Sequence, residues 1–212
     1  MFINNSLKEF IDVVASDNPT PGGGSVSALA GSLGGALTNM VGTLTIDKKV
    51  WEELSDEVKV EMKQAFDEMT EKINSLSKIV DEDSTAFDDV MTAFKMPKET
   101  DEEKKARSNA IQEGYKHALE VPLRCAEECF RVLELQEVFA NYGNVNAITD
   151  VGVGTLLAYT GLEGALFNVT INLLSVKDAE YKKEMESRVS VLLKDGKRLK
   201  SKLIEKVYER LG

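Results

Sequence analysis

Histidine occurs once and cysteine twice in this chain of 212 residues. A single imidazole, His117, and the thiols of Cys125 and Cys129 fall short of the ligand shells that zinc or iron–sulfur centres need, so no metal is expected. His117 reads as a packing or surface residue. The thiols stand four apart within a helical pattern, which suits core packing in a reducing compartment better than a disulfide framework. Proline is confined to positions 19, 21, 97 and 122, and alternating β-branched runs and Asn-Gly hairpin signals are almost absent, which excludes a β architecture. Positive charge is outnumbered, 26 Lys and Arg against 36 Asp and Glu, and the formal net charge of -10 opposes both nucleic acid and anionic lipid as partners. The N-terminus has no basic segment followed by a long apolar one, so no secretory signal is read and a cytoplasmic protein is expected.

What the chain has in quantity is apolar helical pattern. Hydrophobic residues make up 42% and charged residues 29%, enough for a packed core, and the length suits a single domain over 1–212. The expected fold is all-α, an up-and-down bundle of long helices around two apolar central ones. Ser6-Leu7-Lys8-Glu9 is a capping box for a short first helix ending near Asp17. The uncharged stretch from Asn18 to Ile46 is long enough to span a bilayer, but Gly, Ser, Thr and Pro crowd it, so it is expected to be buried in protein. Within it, Val26 to Thr45 predicts a helix without charge on any face and therefore buried all round. From Asp56 to Phe94 the apolar positions step by threes and fours, predicting one helix of about 55 Å. A second capping box at Thr100 opens a helix to Asn141 that Pro122 should kink. Asp150 to Leu174 predicts another almost uncharged helix, and Asp178 to Arg210 a last amphipathic one. Helices built from Gly, Ala and Ser can approach closely, and the surplus of apolar surface predicts a homodimer.

Chemistry is sought where polar groups occupy positions that the pattern reserves for apolar ones, because a buried charge is costly unless it is paired or has a task. Asp83 sits in the stripe formed by Leu76, Val80, Phe87, Val90 and Phe94. It suits a general base or a clamp on a cation, or else a structural carboxylate satisfied by a helix end or a lysine. Glu163 is the only charge between Asp150 and Lys177, with Asn168 and Asn172 following on the same helix. The trio lines a site or forms a hydrogen-bonded knot that fixes helix register. Pro21-Gly22-Gly23-Gly24-Ser25 opens a buried helix, a place fit for a carboxylate or phosphate unless it serves packing alone. It matches neither a Walker loop nor a dinucleotide fingerprint. Asn144, Asn146 and Asp150 gather at another helix start, where caps and turn residues explain them equally well. The basic run from Lys194 to Lys202 suits the C-terminal end of its helix.

Taken in order, Pro19-Thr20-Pro21-Gly22-Gly23-Gly24-Ser25, Asp83-Ser84 with Ala86-Phe87, Lys95-Met96-Pro97-Lys98, Gly143-Asn144 with Asn146 and Thr149-Asp150, and then Gly152, Glu163-Gly164, Asn168-Val169 and Ile171-Asn172-Leu173 resemble the cyclodeaminase/cyclohydrolase family. The likeness spans the chain from the first helix to the start of the last. It implies an all-helical homodimer without metal or prosthetic group, acting on the one-carbon bridge of a tetrahydrofolate that carries one or more glutamates. Two reactions are implied: adding water to a methenyl bridge to give 10-formyltetrahydrofolate, or closing a formimino group onto N10 with loss of ammonia. Asp83 is then the first candidate for acid and base, Glu163 or Asp150 for stabilising the methenyl cation, and Lys98 with the glycine turn for the glutamate carboxylates. The sequence carries no formiminotransferase part, from which the cyclohydrolase reaction is expected over the deaminase. The alternative of another class is a non-catalytic helical binding dimer.

Overall fold

In the computed structural model, which describes residues 1–212, the chain is all-α, with eight helices: α1 (Leu7–Val14), α2 (Gly23–Thr43), α3 (Lys49–Glu52), α4 (Asp56–Thr85), α5 (Asp88–Phe94), α6 (Asp101–Tyr142), α7 (Ile148–Leu173) and α8 (Ala179–Leu211). Short 3-10 turns at Phe2–Asn4 and Val145–Ala147 complete it. Side-chain caps set most of the starts: Ser6 and Thr100 form the two capping boxes read from the sequence, and Ser55 and Asp178 accept from the backbone N–H groups of Val58 and Tyr181. No helix is long and apolar enough to cross a membrane.

The bundle is organised around the antiparallel pair α2 and α7. Glycine makes their approach possible. A Cβ on Gly34 would stand 2.6 Å from the Gly154 carbonyl oxygen and 2.9 Å from the Ala158 nitrogen, and one on Gly161 would stand 2.7 Å from the Ser27 carbonyl oxygen. Those neighbours are backbone, so neither helix can yield without separating the pair. The Cys129 thiol packs into the same seam, 2.4 Å from a Cβ position on Gly31, and both cysteines are buried and free. Helices α4, α6 and α8 close around the pair and bury Met62, Met69, Leu76, Leu133, Phe139, Leu162 and Leu203. A polar knot pins three helices in register: buried Gln136 of α6 donates to Thr38 Oγ1 of α2 at 2.9 Å and accepts from Thr155 Oγ1 of α7 at 3.1 Å.

Two expectations are corrected. The single helix predicted over 56–94 is two, because Ser84 and Thr85 turn their hydroxyls back onto the carbonyls of Asp81 and Glu82, and the Ala86 N–H reaches only Asp83 O, a tightened last turn. Asp88 and Asp89 then start α5 with acidic residues at its positive end. Helix α2 is not buried all round in the single chain: Val26, Leu33 and Met40 are 39%, 46% and 40% exposed, and Val153, Leu156, Phe167 and Ile171 of α7 continue the same open apolar face. Pro122 lies inside α6 without interrupting it. The missing N–H at Pro122 frees the carbonyl of Ala118 four residues earlier, and Asn172 Nδ2 of α7 donates to that oxygen at 3.1 Å. A side chain from a neighbouring helix thereby replaces the absent rung of the ladder.

Candidate functional site

The first turn of α2 carries donors without acceptors in its own helix. Gly22 precedes it as N-cap, where glycine offers no side-chain oxygen to the N–H groups that follow. Pro21 is buried behind it after a cis peptide bond. Both prolines at 19 and 21 keep the approach to α2 out of helical conformation, and the glycines let other atoms come against the backbone.

What comes against it is Asp83, from the last turn of α4. A Cβ on Gly24 would lie 2.0 Å from Asp83 Oδ1 and 2.5 Å from its carboxyl carbon. The carboxylate therefore occupies the volume that any other residue at 24 would fill. Ser25, fully buried, donates its hydroxyl to Asp83 Oδ2 at 3.1 Å. Burial pushes the Asp83 pKa above the ordinary carboxylate range, and the Ser25 hydroxyl and backbone N–H pull it part of the way back. A carboxyl with these opposing influences can hold and release a proton nearer neutrality than a solvated one. Asn168 of α7 faces the same turn, its Nδ2 3.5 Å from a Cβ position on Gly23; that nitrogen donates to Gly164 O at 2.9 Å, while Oδ1 takes no hydrogen bond from the protein. Residues from three helices, far apart in sequence, thus converge: Gly23, Gly24 and Ser25 from α2, Asp83 from α4 and Asn168 from α7.

The other sequence candidates are distributed differently. Glu163 lies beside Tyr159 on its own helix; burial, and then the Glu163 carboxylate, raise the pKa of that phenol, while Lys200 of α8 stands 4.9 Å over the Tyr159 ring. Asn172 is committed to Ala118, as described above. Lys98 is exposed in the turn after α5 and makes no ion pair. Asn144, Asn146 and Asp150 stand at the opposite end of the α2–α7 pair, about 30 Å away along α2 at 1.5 Å per residue. There Asn144 Nδ2 donates to Leu44 O, its Oδ1 accepts from Asn146 N–H, and its own N–H reaches Thr45 Oγ1. Asn146 is exposed and Asp150 half-buried in the first turn of α7. Within one chain the glycine turn and the Asn144–Asp150 turn are separate.

Two groups escaped the sequence reading. Phe87 and Tyr115 form an edge-to-face pair with ring centroids 5.9 Å apart beside the α4–α5 junction; only a contact map reveals that partnership. Arg210 donates to the carbonyls of Phe139, Ala140 and Gly143, closing the C-terminus of α6. Its place in a basic last turn was the available signal. His117 is at the surface, with Nδ1 2.8 Å from Asp89 Oδ2.

Comparison with known proteins gives a consistent picture. The formiminotransferase-cyclodeaminase family pattern matches residues 6–191. The chain is 39% identical over 209 residues to a methenyltetrahydrofolate cyclohydrolase of Methylorubrum extorquens, covering 99% of each protein. It is 34% identical over 195 residues to the formimidoyltransferase-cyclodeaminase of Mus musculus, covering 92% of this chain and 35% of that longer protein. The crystal structure of a formiminotetrahydrofolate cyclodeaminase from Thermotoga maritima superposes with a TM-score of 0.79 at 28% identity, covering 98% of this chain and 96% of the other.

Proposed function

The chain belongs to the formiminotransferase-cyclodeaminase family and is an enzyme of tetrahydrofolate one-carbon chemistry; on that premise we propose that Asp83 is its acid and base and that it hydrolyses 5,10-methenyltetrahydrofolate to 10-formyltetrahydrofolate. The observation that carries the proposal is the half-buried Asp83 carboxyl seated on the first turn of α2, its pKa raised by burial. Identity of 39% to a cyclohydrolase, against 34% to the mouse bifunctional protein and 28% to the cyclodeaminase of similar length, supports water over an amine as nucleophile.

The methenyl bridge joins N5 and N10 through one carbon that shares a positive charge with both nitrogens. Asp83, ionised, takes a proton from water as its oxygen bonds to that carbon, giving a neutral tetrahedral adduct. The N5–carbon bond then breaks, N5 takes a proton, and the adduct hydroxyl loses its own as the formyl carbonyl forms on N10. Of the two water protons, one ends on N5 and one in solvent, which balances the lost cation. The carboxylate also stabilises the cationic substrate by charge, and Asn168, with its free Oδ1, suits an N–H of the pterin ring. The exposed ammonium of Lys98 suits the glutamate carboxylates of the substrate, in single or polymeric form. These steps use only proton transfers by side chains, so neither metal nor prosthetic group enters the scheme.

The active unit is proposed to be a cytoplasmic homodimer of helical domains spanning 1–212. Val26, Leu33 and Met40, spaced by seven along α2, and Val153, Leu156, Phe167 and Ile171 of the neighbouring α7 are exposed apolar residues, and a second copy is the occupant with the matching face. A two-fold axis perpendicular to α2 and α7 brings the Asn144–Asp150 turn of one protomer toward the Asp83 end of the other. That arrangement supplies Asp150 as a second carboxylate for the cation, whereas Glu163, beside Tyr159, lies at the edge of the same face.

The test follows the loss of methenyltetrahydrofolate absorbance with purified protein, corrected for the spontaneous rate in buffer, beside ammonia release from formiminotetrahydrofolate. Hydrolysis without ammonia is the expected result. Ammonia release in its place assigns the cyclodeaminase reaction, and inactivity in both assays, with no folate bound, leaves a non-catalytic helical binding dimer.

A further inference from the structure

Hydroxyls along α2 have a habitual partner. Ser27 and Thr38 donate to carbonyls four residues earlier at 2.7 and 2.9 Å, and Thr43 does the same at 3.1 Å. Ser25 and Ser32 depart from that habit: the Ser32 hydroxyl reaches Ser77 Oγ and Ile73 O of α4, and the Ser25 hydroxyl crosses to a carboxylate, at Asp83 Oδ2. It is fully buried, so no water competes for it, and its backbone N–H faces the same carboxylate. Asp83 Oδ1 takes no hydrogen bond from the fold and lies over Gly24, where the missing side chain admits it.

We propose that Ser25 is a positioning residue for Asp83, its hydroxyl engaging the carboxylate through Oδ2 so that Oδ1 is the oxygen that exchanges protons with the substrate. The glycine turn is then an anion site filled from within the chain. A ligand's carboxylate over Gly24 would have to displace Asp83, so the glutamate tail binds elsewhere. The carboxylate has no charged neighbour to do the same task. On α4, Asp81 accepts the Phe2 N–H and Glu82 pairs with Arg124 of α6; on α5, Asp89 pairs with His117 of α6 while Asp88 is exposed; α2 carries no charge, and Glu163 of α7 lies beside Tyr159. The uncharged donors of Ser25 are the groups that favour the ionised form of this half-buried carboxyl.

The inference rests on Asp83 being the base in the reaction proposed above, and the experiment separates the two. In full-length protein, the Asp83 carboxyl is titrated by carbon-13 NMR, and kcat and KM are measured across pH, for wild type, Ser25→Ala and Ser25→Thr. Removing a donor to the ionised form raises the pKa, and a base must be ionised to work, so the acid limb of kcat moves to higher pH. Ser25→Ala is expected to move both limb and NMR titration up by about one pH unit, lower kcat about tenfold and leave KM within about twofold. Ser25→Thr, which keeps the hydroxyl, recovers part of the loss. Should Ser25→Ala not fold, Ser25→Cys keeps the volume with a weaker donor and is expected to shift both readouts the same way by less. Limb and NMR titration both unmoved overturn the role of Ser25, whereas an NMR shift with an unmoved limb overturns the assignment of Asp83 as base.

Discussion

Replacing Asp83 by Asn keeps the outline of the side chain and removes its charge and its basicity. General acid–base groups contribute about 10²–10⁴ in rate, so turnover should fall by about a hundredfold or more, equivalent to ~2.7 kcal/mol of transition-state stabilisation. Stability should move the other way. Burial raises the folded-state pKa of Asp83 above its unfolded value, and the Ser25 donors only partly offset it. The stabilisation from this group is therefore fully present below the unfolded carboxylate pKa and is lost as pH rises through the folded one. At neutral pH the wild-type chain carries a desolvated charge that the Asn variant lacks. The expected outcome is a variant that melts at or above the wild-type temperature and has little hydrolysis, with a difference in melting temperature that shrinks as pH is lowered. Melting is followed by circular dichroism and hydrolysis by methenyl absorbance. Turnover within about threefold of wild type, too small a change for loss of a general base, or a loss of more than about 5 °C in melting temperature, would refute the reasoning.

Other perturbations test the frame around the site. Gly34→Ala sets a Cβ 2.6 Å from the Gly154 carbonyl oxygen, so overpacking should cost about 1–3 kcal/mol in a urea titration; an unchanged midpoint would mean that α2 and α7 are not locked together. Asn172→Ala leaves the Ala118 carbonyl without its donor and should cost about 1–3 kcal/mol. The same change in a Pro122→Ala background should cost much less, because the restored N–H satisfies that carbonyl, and the double-mutant cycle reads the difference. Phe167, 68% exposed on the open face, should yield a monomer with reduced turnover when changed to Asp. Sedimentation that still shows a dimer with full activity would remove the α2–α7 face as the interface.

The all-α architecture was legible because helical period, caps and the shortage of proline all pointed one way, and local hydrogen bonding alone decides such features. The capping boxes at Ser6 and Thr100 show this, since each is closed within four residues. Asp83 was legible for a related reason: a carboxylate in an apolar stripe is a one-dimensional anomaly. The break at Ala86 was less so, because Ser84 and Thr85 tolerate a helix and their back-bonding becomes visible only in three dimensions. Asn172 and Asn168 looked alike on paper. Asn172 satisfies the carbonyl that Pro122 frees within α6, and Asn168 faces the glycine turn.

By itself the sequence determined the helices, their caps, the crowding of small residues on two of them and the family to which their order belongs. Those are properties of spacing and composition, set by contacts between near neighbours in the chain. Only the tertiary structure decided that the glycine turn holds the chain's own carboxylate, that Asn144 and Asp150 stand at the far end of α2 and α7, and that an apolar face runs between the two ends. Side chains separated by 58 residues, as Ser25 and Asp83 are, meet through the packing of whole helices. The angle and depth of that packing are set by glycines whose effect depends on what lies opposite them.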